Sequence, residues 1–273
     1  MTNTYTCSPE EFKANCKIPL RIMDREDEMY EEIARIMADT IKAKNEKGEK
    51  TLIICPVGPI KQYPIFAEIV NKENISLKTV WFVNMDEYLD ENGELISKDS
   101  VLSFRSTMDR LCYSLIKPEL VMPECQRIFP IPGKEAEIDA LIEEMGADLS
   151  LTGVGINGHI AFNEPPEYET TDEEYRSIGT RCLDIARETI TNNGANKICG
   201  ALDMFPKRCI TLGMKQLLSV KKLKVYLYCP WQWGIMRKIG LEDATRIAPA
   251  SFLQQHPDAE MVVTRELYEK MVF

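Results

Sequence analysis

TLIICPVGPIKQYPIFAEIVNKENISLKTVWFVNMDEY, residues 51–88, holds the fold in miniature. Its opening, TLIICPVG (Thr51–Gly58), is a short continuous apolar run closed by Pro and Gly, the pattern of a strand buried on both faces. QYPIFAEIVN can supply a helix, and TVWFVNMDEY (Thr79–Tyr88) is a second strand running into an acidic end. Two buried strands joined through a helix make a crossover unit and therefore parallel pairing. The alternation continues on either side. IPLRIM (Ile18–Met23) reads as a strand, and Asp24 as the N-cap of a helix whose apolar positions Tyr30, Ile33, Ala34, Met37 and Ile41 share one face and which stops near Gly48. SFRSTMDRLCYSLI and EAEIDALIEEMG read as helices, ADLSLTGVG as a strand, CITLG, MKQLLSV and LKVYLYCP as a further strand–helix–strand, and AEMVV as an apolar run near the end. The expected fold class is α/β: a three-layer, mostly parallel sheet with helices on both faces, Rossmann-like.

No linker, low-complexity tract or repeat divides the 273 residues, so one domain is expected over 1–273, with 1–17 as an N-terminal extension. The polar stretch 164–188 is the candidate lid. Lys and Arg number 33 against 43 Asp and Glu, a net charge of −10, which argues against nucleic acid or an anionic membrane as partner. No uncharged apolar run approaches the roughly 20 residues of a membrane helix. The first residues, MTNTYTCSPEEFKANCK, lack the apolar centre of a secretory leader, and nine scattered cysteines contain no CxxC pair. A cytoplasmic, disulfide-free protein is the expectation. With two histidines and no His/Cys cluster, no metal or other cofactor is expected.

Ligands of such sheets gather at the carboxyl ends of the strands, and three of those ends are chemically expressive. GVGINGHIAFNEP (Gly153–Pro165) offers glycines for tight turns, His159 for proton transfer near neutral pH, and Glu164 to orient its ring. A glycine-rich turn around a structural histidine would read the same way. In NMDEY (Asn84–Tyr88), alternation sends Asp86 and Glu87 to opposite sides, so one can enter a cleft as a base while the other meets solvent or the chain. A solvated acidic loop is the bland reading. CPVGPIK (Cys55–Lys61) is the third end. His256 reads as structural, Cys55 and Cys229 as weak nucleophile candidates, and Trp231 with Trp233 as packing residues or a sugar platform.

Taken together, VNMDEY (83–88), SFRSTM (103–108), GVGINGHIAFNEP, FPKRCITLGMKQLL (205–218) and SFLQQHPDAEMVV (251–263) resemble the glucosamine-6-phosphate deaminase family in order and separation. Apart from about the first twenty residues, the resemblance spans nearly the whole chain. The related lactonases share the GH core but continue differently, typically with a DGHTASLFP-like run. The resemblance implies a metal-free aldose–ketose isomerisation coupled to loss of ammonia from a sugar phosphate, in a homo-oligomer. It implies that His159 assists ring opening, that Glu164 and Asn157 hold the imidazole, and that Asp86 is the base that takes the C2 proton and returns it at C1. It makes Gly58, Lys61, Glu87, Gly155, Gly158, Arg187 and Lys207 the candidate substrate contacts. Where the family's phosphate loop reads approximately LPTGGTP or LATGSTP, this chain has CPVGPIK: Pro59 lacks an N–H, and Val57 and Ile60 lack hydroxyls. Arg105 and the run 229–233 also depart from expectation. Retained proton-transfer machinery in a re-cut pocket is the leading expectation, and a non-catalytic sugar-phosphate sensor or a lactonase of the same superfamily are the alternatives.

Overall fold

The computed structural model describes residues 4–273. In chain order its strands are β1 (Leu20–Met23), β2 (Thr51–Cys55), β3 (Val80–Asn84), β4 (Asp86–Leu89), β5 (Arg127–Ile128), β6 (Leu149–Gly153), β7 (Arg181–Asp184), β8 (Arg208–Thr211), β9 (Lys222–Leu227) and β10 (Ala259–Thr264). Its helices are α1 (Pro9–Asn15), α2 (Glu26–Glu46), α3 (Gln62–Glu73), α4 (Phe104–Leu111), α5 (Glu135–Met145), α6 (Asp172–Arg176), α7 (Arg187–Lys197), α8 (Met214–Leu218), α9 (Trp233–Leu241) and α10 (Arg265–Glu269).

Seven strands form one parallel sheet in the order β1-β10-β9-β6-β2-β3-β5. Its faces follow from the alternation of side chains: Ile53 and Cys55 of β2 join α2 and α3 in one apolar cluster, while Leu52 and Ile54 join α8 and α9 in the other. The three-layer α/β expectation holds. All five apolar positions named for the helix after Asp24 are buried. That helix starts one residue later than expected, at Glu26, and its N-cap Arg25 makes no side-chain cap. The first strand is likewise shorter than IPLRIM, beginning at Leu20.

The stretch TVWFVNMDEY is two strands rather than one. β3 ends at Asn84, the chain bends at Met85, and β4 leaves to pair antiparallel with β8, which also pairs with β7. The bend is held by Met85 N–H to Cys55 O (3.0 Å) and Leu212 N–H to Met85 O (2.7 Å). The stretch 164–188 contains α6 and β7 and is held at two points: the Tyr175 hydroxyl donates to Glu164 O (2.6 Å), and Thr180 N–H to Asp139 (3.1 Å). Of the N-terminal extension, residues 1–3 lie outside the described part. The rest docks through α1, capped by the reciprocal Ser8–Glu11 pair, with Phe12 fully buried.

β2 sits at the point where strand order runs outward in two directions, toward β3 and β5 on one side and β6, β9, β10 and β1 on the other. Crevices form outside the carboxyl ends of strands at such a switch point. The turns after β2, β3 and β6 all emerge there.

Candidate active site

A cavity of about 180 Å³ lies at this crevice, lined among others by Gly58, Asp86, Gly155, His159, Lys197 and Trp231. Asp86 and His159, from different strand ends, therefore face one hollow. Asp86 is 6% exposed. Burial pushes its carboxyl up to about 7, against the opposing pull of the Lys197 and His159 charges and with a further push from Glu87. A carboxylate so placed is a far stronger base than one in water.

His159 is fixed from one side. Its Nδ1 meets Asn157 Oδ1 at 2.8 Å, Glu164 Oε2 at 3.0 Å and Thr189 Oγ1 at 3.3 Å. Two oxygens that can only accept require a proton on Nδ1, which leaves Nε2 of the neutral ring free to exchange one. Asn157 also donates from Nδ2 to Glu164 Oε2, so the amide and the carboxylate brace each other as well as the ring. Burial raises the Glu164 carboxyl, but the His159 charge and hydrogen bonds from His159, Asn157 and Thr189 outweigh it, and the net shift is downward. Glu164 is thus ionised beside the imidazole Nδ1.

The backbone explains the spacing. Gly155 and Gly158 close a turn, Gly158 N–H to Gly155 O at 3.0 Å, and Gly155 N–H then bonds His159 O at 2.9 Å. A Cβ on Gly155 would stand 2.0 Å from the imidazole, so only glycine lets the ring lie over the turn. Gly158 has a φ of +89° and packs toward Ile235 and Ala248, away from the cavity.

Glu87, expected at the substrate, is fully buried and points into the chain. Its carboxylate accepts from the N–H groups of Tyr88, Phe104 and Arg105, from the Ser103 hydroxyl, and from the Arg105 guanidinium. It caps the start of α4, where a negative charge is favoured. Lys61, Arg187 and Lys207 do not line the cavity. Lys61 pairs with Glu26 (2.9 Å) in a neighbouring groove. Arg187 is exposed at the start of α7, beside a separate pocket with Arg181. Lys207 is exposed just before β8. The three cations do not converge on one spot.

Lys197 and Thr189 of α7 reach the site, and sequence reading missed both. The polar sequence of that helix, RETITNNGANK, carries no apolar stripe to orient it. The Lys197 ammonium lies 4.8 Å from the Phe104 ring centroid and 5.7 Å from that of Tyr88. Desolvation lowers its pKa, and Asp86 and Glu87 pull it back up. Trp231 stands at the cavity rim, whereas Trp233 is packed and donates from its indole to Lys270 O (2.6 Å). Burial raises the thiols of Cys55 and Cys229, so neither is primed as a nucleophile. His256 bridges Val220 O (2.8 Å) and Asp258 N–H (3.1 Å). Among the described residues no group of three or more His, Cys, Asp or Glu is arranged to hold a metal ion, and no helix is long and apolar enough to cross a membrane.

No family model matches the chain. Glucosamine-6-phosphate deaminase of Clostridium perfringens (strain ATCC 13124) is 26% identical over 252 residues, 87% of this chain and 94% of that protein. The deaminase of Lachnoclostridium phytofermentans is 29% identical over 243 residues, 85% and 95% of the two chains. A solved structure described as a monomeric glucosamine-6-phosphate deaminase superposes with a TM-score of 0.77 at 25% identity, covering 92% of this chain and 98% of its own. A 6-phosphogluconolactonase from Shewanella baltica OS155 shares the fold, with a TM-score of 0.60 at 16% identity over 90% and 97% of the chains. Fold and site define an enzyme of the α/β superfamily that unites these deaminases and lactonases. Within it, the chain is similar to the glucosamine-6-phosphate deaminases, at 25–29% identity over 85–92% of its length for the three deaminases above.

Proposed function

We propose that the protein converts an amino sugar phosphate of the glucosamine 6-phosphate type to the ketose phosphate and ammonia. The observation that carries the reading is the shared cavity of a desolvated carboxyl, Asp86, and an imidazole whose Nδ1 is locked by Asn157 and Glu164. His159 Nε2 exchanges a proton with the ring oxygen and opens the pyranose. The ionised Glu164 stabilises the imidazolium that forms. Asp86 then removes the C2 proton while the aldehyde oxygen gains one, giving an enolamine, and returns the proton at C1. Water adds to the resulting C2 imine and ammonia leaves, so the sum is substrate plus water to ketose phosphate plus ammonia. Geometry and pKa divide the labour in the way general acid–base catalysis requires.

Incubation with glucosamine 6-phosphate, following ammonia, tests the reading directly. Release is expected with the wild type. Asp86→Asn should abolish exchange of the C2 proton with solvent deuterium, and retained exchange would remove Asp86 from its role. Release of acid from a phosphogluconolactone without ammonia from any amino sugar would move the chain to the lactonase side. The same reading makes the protein a cytoplasmic homo-oligomer. Light scattering on the purified protein checks the assembly, and a single-chain mass would match the solved relative described as monomeric.

A further inference from the structure

The turn after β2 offers little to a phosphate. Two of its residues, Pro56 and Pro59, have no N–H, and their carbonyls are tied to the first turn of α3 by Tyr63 and Gln62. Val57 and Ile60 bring no hydroxyl, and Glu26 already neutralises Lys61. Lys197 is the one lysine or arginine among the described residues that lines the cavity. Its side chain stays solvent-accessible through the opening while its ammonium lies over Phe104 and Tyr88. No carboxylate among the described residues lies within ion-pair distance of it. A second groove of about 410 Å³ shares Val57, Gly58, Phe104, Lys197 and Tyr228 with the cavity, so the two are continuous and Lys197 stands at their junction. Arg110, exposed at the end of α4 and without an ion-pair partner among the described residues, lines that groove.

We propose that this chain holds the anionic group of its substrate at Lys197 and Arg110, on the junction between cavity and groove, in place of the turn after β2. The inference rests on the deaminase reading for the sugar and adds where its phosphate sits. The ammonium lies over two aromatic rings with no carboxylate in ion-pair contact, so an arriving phosphate can pair with it without displacing a salt bridge. Val57, Ile60 and Leu102 supply apolar wall beside that contact, and the Glu26–Lys61 pair lines the far part of the same groove.

The test uses the full chain with Lys197→Met, Lys197→Arg and Arg110→Ala. Two readouts are taken: ammonia release from glucosamine 6-phosphate and from glucosamine, and calorimetric titration with inorganic phosphate. Lys197→Met should raise KM for the phosphorylated sugar about 10- to 100-fold, Arg110→Ala roughly 3- to 10-fold, and Lys197→Arg should restore most of the loss. For glucosamine, loss of the Lys197 charge acts through Asp86, on kcat and its pH profile, so KM should rise several-fold less than for the phosphorylated sugar, and phosphate binding should weaken in parallel with KM for the phosphorylated sugar. Equal KM increases for both sugars, or a change confined to the pH profile and the same for both, would overturn the subsite and leave Lys197 as a neighbour that tunes Asp86. Failure to release ammonia from either sugar breaks the deaminase reading alone. The titration then still decides: phosphate binding lost with Lys197→Met supports the subsite, and binding that is unchanged, or absent from the wild type, overturns it.

Discussion

The turn after β6 presses Gly155 so close to the imidazole that a methyl there would stand 2.0 Å from the ring, whereas the turn after β2 leaves Gly58 with nothing within 4 Å. Both turns leave the same sheet at the same switch point, and both line the same cavity. In the first, a backbone bond closes the turn on the His159 carbonyl, and an amide and a carboxylate from the turn meet the ring together with a hydroxyl from α7. In the second, two prolines and two aliphatic side chains leave the cavity wall short of donors. Proton transfer needs its groups placed to a fraction of an ångström, so its wiring tolerates little change. Anchoring a remote phosphate needs only charge within reach, and that charge can come from another element, as it does here from α7 and α4.

Asp86, the proposed base facing the first turn across the cavity, gives the largest expected effect. Asp86→Asn should lower kcat/KM by about 10²- to 10⁴-fold, the usual worth of a general base. In the wild type, kcat/KM should rise with pH through about 7 as the carboxyl ionises, and a profile flat from pH 5 to 8 would break the assignment. Stability should move the other way. With a native pKa near 7 and an unfolded one near 3.9, the native state binds more protons between those values, so wild-type stability falls as pH rises through that window. Asn at this position has no such loss. Asp86→Asn should therefore be the more stable protein at pH 8, by up to about 4 kcal/mol, with the gap closing toward pH 4. Denaturant melts at the two pH values check this.

Gly155→Ala comes next. The imidazole must leave its seat, and ammonia release should fall about 10²-fold with little loss of fold, while Gly58→Ala should cost less than about tenfold. Similar losses at the two glycines would erase the contrast between the turns.

How far these features were legible in the sequence follows the range of the interactions behind them. Buried strands and the apolar face of α2 are local patterns, and they stood in the sequence as they stand in the fold. His159 with Asn157 and Glu164 is nearly local too, because all three lie within eight residues on one turn. The division of NMDEY between two sheets was not legible, since the bend at Met85 depends on β8, more than 120 residues later. Glu87 was misplaced for the same reason: the N–H groups it caps belong to α4, and alternation alone says only that Glu87 and Asp86 diverge. Lys197 had no signal at all, because it enters the cavity from a helix with no apolar stripe and at no recognisable spacing from Asp86.

The smallest expected effect bears most directly on the contrast between the turns. Val57→Thr returns a hydroxyl to the turn after β2 at nearly constant shape, on a residue that lines both cavity and groove. If the turn still held the phosphate, a new donor to a charged group would lower KM for glucosamine 6-phosphate about tenfold. With the anion on Lys197 and Arg110, the hydroxyl has no charged partner to meet, and KM should change by less than about twofold. Adding Lys197→Met separates the two cases again. A hydroxyl that helps only once the lysine is gone would mean that the turn can recover the anion when its rival is removed. A hydroxyl that helps in both backgrounds would put the phosphate back at the turn, and the difference between the two turns would then concern their chemistry and not their duties.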